Sequence, residues 1–311
     1  MTKRLFARTG LSLERLRTFA EVVAAAGISQ AAPGDSNRQS QFSRQLKELE
    51  SFFGAELLRR GRGRFELTAA GNELFQIVQS HFNAMEDLID RCADRSVEMR
   101  LGAGESLLYW LIPPCLQEFR TRRPLVTLVL QNLRTDDIVN RLMDGQLDAG
   151  LLRQDAVRTS LQSEPIGTMS YGLWVPDLLG LEIKRRDFWK FLKSTQVAVL
   201  EGGTVTSAFE EAGEAKGIRL KICFRGSSYP QMVEASKQLG CAALLPIFEG
   251  GPEIQGGTVY PIPTLKPFTR ILALAWNPRF VSLRQEIERA IESFSTILRG
   301  RVVQGPFKGA R

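Results

Sequence analysis

Residues 38–71 read "RQSQFSRQLKELESFFGAELLRRGRGRFELTAAG". Phe42, Leu46, Leu49 and Phe53 fall at i, i+4, i+7 and i+11, one face of a 3.6-residue period. Ser40, Arg44 and Lys47 fall on the opposite face, with Gln41 and Ser43 at its borders. A merely solvated face is usually rich in Glu and Lys, whereas Gln, Ser and Arg hydrogen-bond to base edges and phosphates. Leu57 and Leu58 lead into Arg59, Arg60, Gly61, Arg62, Gly63 and Arg64, and then Phe65 and Leu67 alternate with Glu66 as in a half-exposed strand. The spacing predicts a helix apolar along its back and polar along its front, followed by a short basic hairpin.

Upstream, Leu13, Leu16, Phe19, Val22 and Val23 form another apolar stripe that ends at Gly27. Ala31 and Ala32 are small enough for two helices to cross closely, and Pro33-Gly34 breaks the chain before the second helix. A helix, a short helix, a turn and a longer helix follow the order of a helix-turn-helix. The arginine-bearing hairpin is then a wing over phosphates. Together they point to double-stranded DNA as partner, with Arg38, Gln39, Ser40, Gln41, Ser43, Arg44 and Lys47 facing the groove or its phosphates. Arg60, Arg62 and Arg64 would hold the backbone from the wing.

Residues 11 to 95 resemble the winged helix-turn-helix and linker helix of LysR-type transcriptional regulators. The resemblance is carried by Phe19, Gly27, Ala31-Ala32, Ser43-Arg44-Gln45-Leu46, Leu49-Glu50, Gly54, Leu57, Arg60 and Leu67-Thr68-Ala70-Gly71. One departure stands out. Where that family usually has a leucine and another apolar residue before the recognition helix, this chain has Asp35 and Asn37, just after Pro33-Gly34.

Charge agrees with a polyanionic partner. The net charge is +7 over 311 residues, and residues 1–70 hold 12 Lys/Arg against 7 Asp/Glu, or +5, which leaves +2 for the other 241. The hydrophobic fraction of 43% comes without an apolar run of membrane-spanning length. The start "MTKRLFARTG" is basic, but Glu14, Arg15 and Arg17 interrupt the stretch after it, so no signal-peptide core forms. Cys92, Cys115, Cys223 and Cys241 show neither metal spacing nor a disulfide framework, which suits reduced thiols in the cytoplasm. His81 is the single histidine, which argues against histidine-based catalysis or metal binding. No cofactor, metal or membrane is expected.

Leu74, Val78, His81/Phe82, Met85, Leu88/Ile89 and Cys92 repeat at about 3.5 residues, the period of a helix packed along a partner. Thr68 suits its N-cap. The resemblance makes this the linker helix of a dimer, with Leu74, Val78, Phe82, Met85 and Ile89 as its seam. It also implies a tetramer and RNA polymerase as a further partner. His81 reads as a packing residue.

From Glu98 the texture alternates strand and helix, as in a mainly parallel sheet. The marks are Leu101-Gly102, Leu111 with Pro113, Phe119, Pro124, the run 145–152, Val233-Glu234-Ala235 and Leu244-Leu245-Pro246. They resemble the LysR-family effector domain, which is similar to periplasmic solute-binding proteins. The expected fold is α/β overall: an all-α winged helix-turn-helix (1–67), a linker helix (68–96) and a two-lobed effector domain (97–300). Lobe one is expected at 98–168 and 269–300, lobe two at 169–268, and the tail 301–311 is expected to be disordered. A small-molecule effector would lie between the lobes. Gly104, Glu105 and Ser106 at one helix start, Thr204 and Thr206 at another, and Arg153 at a strand end are its candidate contacts. Glu105 would repel an anion or pair with a ligand amine.

Two rival functions are weaker. "GAGESL" (102–107) follows a strand, but Leu107 stands where a dinucleotide fingerprint needs glycine, and Ser106 lacks the flanking glycines of a nucleophile elbow. An α/β enzyme is therefore disfavoured. A free-standing solute-binding protein is disfavoured by the basic N-terminal unit.

Overall fold

A computed structural model describes residues 5, 7–60, 65–185, 187–202, 204–247, 254–263 and 268–302. The chain divides into two compact units, Met1–Arg95 with Pro278–Gln285, and Ser96–Asn277 with Glu286–Arg311. No helix among the described residues is long and apolar enough to cross a membrane.

The first unit opens with α1 (Leu13–Ala24), α2 (Ile28–Ala31) and α3 (Ser36–Phe53). Ser12 caps α1 by accepting from Arg15 N–H at 3.2 Å, and Asp35 caps α3 by accepting from Arg38 N–H at 2.9 Å. Gly54 ends α3 in the left-handed region, φ 68°, which glycine adopts without a Cβ penalty. Phe42, Leu46 and Leu49 are buried against Phe19, Val22 and Ala32. Phe53, expected on the same face, is exposed and packs edge-on against Phe52, because the helix runs past the end of its core.

β1 (Leu58–Arg60) pairs antiparallel with β2 (Phe65–Leu67), the expected wing, with Arg59 opposite Glu66. The tip 61–64 lies outside the described residues. Glu50 ties α3 to β1 by accepting from Leu57 N–H at 2.9 Å. α4 (Ala69–Cys92) then begins at Thr68, whose hydroxyl accepts from Gly71 N–H at 3.0 Å. A Cβ on Gly71 would lie 2.0 Å from the Leu57 carbonyl oxygen, so only glycine lets the helix start so close to the wing strand.

α4 does not present its whole apolar stripe to the outside. Leu74, Phe75 and Val78 complete the core of the winged unit, and Phe82 packs partly against it. The outward apolar residues are Ile77, Met85, Leu88 and Ile89. His81 is exposed rather than packed, its Nδ1 paired with the Ile77 carbonyl oxygen at 2.8 Å. A second departure concerns 278–285, expected in lobe one. These residues, with the short α11 (Pro278–Val281), pack on α4. Ser80 Oγ donates to the Arg279 carbonyl at 3.0 Å, Arg279 donates to Gln76 Oε1 at 2.7 Å, and Arg284 pairs with Asp87.

The second unit is α/β. Among the described residues its sheet has nine strands and runs β4 (Val126–Asn132), β3 (Val97–Ala103), β5 (Ala149–Arg153), β11 (Thr269–Trp276), β6 (Gln162–Pro176), β9 (Ala242–Ile247), β7 (Gln196–Leu200) and β8 (Lys221–Gly226), with β10 (Gly257–Pro261) also on β6. β3 pairs parallel with β4 and β5, and β7 pairs parallel with β8 and β9. Between the two parallel sets run β11 and the 15-residue β6, antiparallel to each other. This produces two lobes of like construction joined through two long strands.

Helices α5 (Leu116–Arg122) and α6 (Thr135–Met143) accompany the first set, followed at the chain end by α12 (Gln285–Arg301). Ile138 and Leu142 of α6 pack with Leu147 and Leu152. Helices α7 (Asp177–Arg185), α8 (Phe188–Ser194), α9 (Thr204–Glu214) and α10 (Tyr229–Leu239) accompany the second. Of the tail expected to be disordered from 301, Arg301 ends α12 and Val302 is buried, so the order runs two residues further than expected, while 303–311 lie outside the described residues.

Candidate DNA interface and effector cleft

The outward face of α3 carries Asn37, Ser40, Gln41, Arg44 and Lys47, all exposed. Asn37, Gln41 and Arg44 stand at i, i+4 and i+7, so they line one ridge of the helix. α3 is pinned to α1 from behind. Thr18 Oγ1 donates to Gln45 Oε1 at 2.6 Å, Gln45 Nε2 donates to Glu14 at 3.2 Å, and Arg15 pairs with Glu48 at 2.5 Å. A side chain on the outer ridge is therefore presented by a fixed helix.

Two expected groove residues have other tasks. Gln39 is half-buried and donates its amide to the Ala32 carbonyl at 2.8 Å, which holds the turn between α2 and α3. The Arg38 guanidinium lies 5.1 Å over the Phe42 ring and 3.3 Å from Glu21. That pair is exposed and weak, so Arg38 is tethered rather than buried. Ser43 is half-buried at the border of the ridge. Asn37 shares this ridge without being among the expected groove residues, although its i, i+4, i+7 relation to Gln41 and Arg44 is legible in the sequence. Arg62 and Arg64 lie outside the described residues, as does the Arg60 side chain.

In the second unit Gly104, Glu105 and Ser106 follow β3 and lead into a π-helical turn, Leu107–Leu111. Glu105 does not stand free as an anion-repelling charge. Its Oε1 accepts from Ser228 Oγ at 2.7 Å and its Oε2 from Tyr229 N–H at 3.1 Å, at the start of α10. The Tyr229 ring lies 6.1 Å from that of Trp110 and its phenol shares a hydrogen bond with Tyr171 of β6. Burial, then the charges of Tyr171 and Glu105, push the Tyr229 phenol well above its ordinary range. Burial also raises Tyr171, offset by the Tyr229 hydrogen bond and the positive charges of Arg270 and Arg153.

The structure thus brings Glu105 to one aromatic cluster, together with Ser228, Tyr229, Tyr171 and Trp110, while Arg153 acts on Tyr171 only through its charge. None of these four was legible as a site residue, because Ser228 and Tyr229 meet Glu105 across more than a hundred residues and Tyr171 comes from a separate strand. Arg153 also lies 3.6 Å from Asp155. Ser106 is buried. Thr204 is exposed at the first turn of α9. Thr206 is a correction: its side chain is 4% exposed and donates to the Leu200 carbonyl at 2.8 Å, so it fastens α9 to β7. Among the described residues no three His, Cys, Asp or Glu side chains group as a metal site.

Two family models match. Residues 13–72 match the bacterial regulatory helix-turn-helix protein, lysR family, and residues 93–299 match the LysR substrate binding domain. The chain belongs to the LysR family of transcriptional regulators. It is 26% identical over 253 residues to a probable nitrogen assimilation transcriptional activator of Synechococcus elongatus, covering 76% of this chain and 79% of that protein. It is 30% identical over 175 residues to a probable hydrogen peroxide-inducible genes activator of Mycobacterium leprae, covering 55% and 56%.

Among solved LysR-family structures, a full-length OxyR variant from Pseudomonas aeruginosa superposes with a TM-score of 0.62 at 17% identity, covering 95% of this chain and 98% of that one. Full-length LysG from Corynebacterium glutamicum, with bound effector Arg, gives 0.61 at 17%, covering 92% and 98%. These likenesses bear on the fold.

Proposed function

We propose that this LysR-family chain binds a specific duplex sequence through the outer ridge of α3, and that a small-molecule effector between the lobes of its second unit modulates that binding. The observation that carries the reading is the ridge itself. Asn37, Ser40, Gln41, Arg44 and Lys47 are exposed together on a helix fixed from behind by α1, in a helix-turn-helix whose recognition helix enters a major groove. Arg38, released from Glu21, reaches a flanking phosphate, and Arg60, Arg62 and Arg64 hold the backbone from the wing. A solved structure of CbnR with its target DNA has a similar fold, with a TM-score of 0.50 at 18% identity, covering 90% of this chain and all of that one.

The chain acts in the cytoplasm as a homodimer joined along α4, and as a tetramer built from such dimers, with RNA polymerase as a downstream partner. The outward stripe Ile77, Met85, Leu88 and Ile89 supports the dimer. Glu105, Arg153, Tyr171 and Tyr229 border the effector cleft, with Gly104, Ser106 and Thr204 at its helix starts.

Selection of full-length chain on random duplexes tests the first part. A recovered consensus whose affinity falls steeply with salt is expected, since Lys and Arg contacts release condensed counterions. Recovery without any enriched sequence would refute sequence-specific reading. A thermal-shift survey of small metabolites on the full chain tests the second part, with a concentration-dependent rise in melting temperature expected for the effector.

A further inference from the structure

Glu105 and Ser228 belong to opposite ends of one sheet. Glu105 follows β3, second in the strand order, and Ser228 follows β8, last on the same path. Six inter-strand steps of about 4.8 Å would hold those strands roughly 29 Å apart in a flat sheet. Yet Ser228 Oγ donates to Glu105 Oε1 at 2.7 Å and Tyr229 N–H donates to Oε2 at 3.1 Å. Both oxygens of one carboxylate from the first lobe are held by the second lobe. The contact exists only because the sheet curls and brings the lobes together.

Its setting makes the contact strong. The carboxylate sits at the start of α10, an 11-residue helix whose first N–H groups lack intrahelical acceptors and carry the positive end of the dipole. Charge-assisted hydrogen bonds are about twice as strong as neutral ones. Tyr229 extends the contact, its ring 6.1 Å from that of Trp110 of the first lobe and its phenol hydrogen-bonded with Tyr171 of the long strand β6.

We propose that Glu105 is a latch between the two lobes, and that an effector in the cleft acts by shifting the balance between latched and unlatched lobes. A ligand can shift such a balance only through unequal affinity for the two arrangements. The second half of the proposal rests on the effector reading above. The latch itself does not, and it can be tested with neither duplex nor effector.

Hydrogen exchange on the full chain, comparing wild type with Glu105→Ala and Glu105→Gln, decides it. Glu105→Ala is expected to speed amide exchange about tenfold or more in two places at once, residues 228–232 of the second lobe and 106–112 of the first. Protection of β3 and β7 should persist. Glu105→Gln keeps an acceptor but loses the charge and should move the same two segments by less. Faster exchange confined to 228–232 would make Glu105 a helix cap and overturn the latch, as would no change in either segment. If Glu105→Ala unfolds the unit, Glu105→Gln is judged by the same two-segment criterion. A failed duplex selection would leave the latch standing, and a failed exchange test would leave the regulator reading standing.

Discussion

Arg284 grips Asp87 with two nitrogens, Nε at 2.6 Å from Oδ2 and Nη2 at 2.8 Å from Oδ1, across 197 residues of sequence. Their side chains are 3% and 10% exposed. Such a pair adds little over a well-packed apolar replacement, but breaking it leaves an uncompensated buried charge at a cost of about 3–5 kcal/mol. Asp87→Ala should lower the unfolding free energy by that amount in urea titration. Adding Arg284→Leu to it should recover part of the loss. A single-mutant cost below about 1 kcal/mol would show that the pair is solvated in solution.

On α3 the ridge divides by chemistry. Asn37→Ala and Gln41→Ala should each erode discrimination at one base pair by about 1–3 kcal/mol and leave the salt slope nearly unchanged. Lys47→Ala should weaken all sequences alike and reduce the slope by about one unit. Gln39→Ala should act through stability, since its amide holds the turn. An Asn37→Ala consensus identical to that of wild type would remove Asn37 from the reading face.

Along α4, burial separates two kinds of apolar residue. Val78 is 2% exposed in its own unit and Ile89 is 60% exposed. Leu88→Asp and Ile89→Asp should shift light scattering toward monomer with little change in melting temperature. Val78→Asp should instead unfold the winged unit, because an unpaired charge would enter its core. Unaltered assembly in both outward mutants would sink the α4 dimer.

Burial pushes the Cys115 thiol from 9.0 up to about 11, Arg301 lowering and Glu118 raising it by smaller amounts. Burial likewise raises Cys223 to about 11, helped by its hydrogen bond with Cys241. Cys92 is exposed. Iodoacetamide at pH 8 should therefore modify Cys92 first and spare Cys115 and Cys223 in the folded chain. Between pH 9 and 11 the folded chain holds protons on these thiols that the unfolded chain has lost. Their contribution to stability is thus complete below about pH 9 and falls as pH rises through 11. Equal labelling rates for all the thiols in mass spectra of digested native protein would contradict the burial.

The elements legible in the sequence were those whose signal is local. α3 and α4 announce themselves by apolar spacing, the wing by its glycines and alternation, and Thr68 by its place before a helix. What escaped depends on distant partners. Spacing alone assigns Leu74 and Val78 to a seam as readily as to a core, and only the position of Phe19 and Leu57 decides for the core. Thr206 sits at a helix start like any anion-binding hydroxyl, but the Leu200 carbonyl claims it. Nothing near Glu105 in sequence foretells Ser228.

The segment 278–285 also bears on how portable the parts of this molecule are. A cut between Arg95 and Ser96 looks like a clean way to excise the second unit or to graft the first onto a relative. It would part Asp87 from Arg284, and the grafted helix α4 would lose the packing of α11. The transferable DNA-binding module is therefore discontinuous. It comprises the first 95 residues together with a loop encoded far downstream, near the end of the chain.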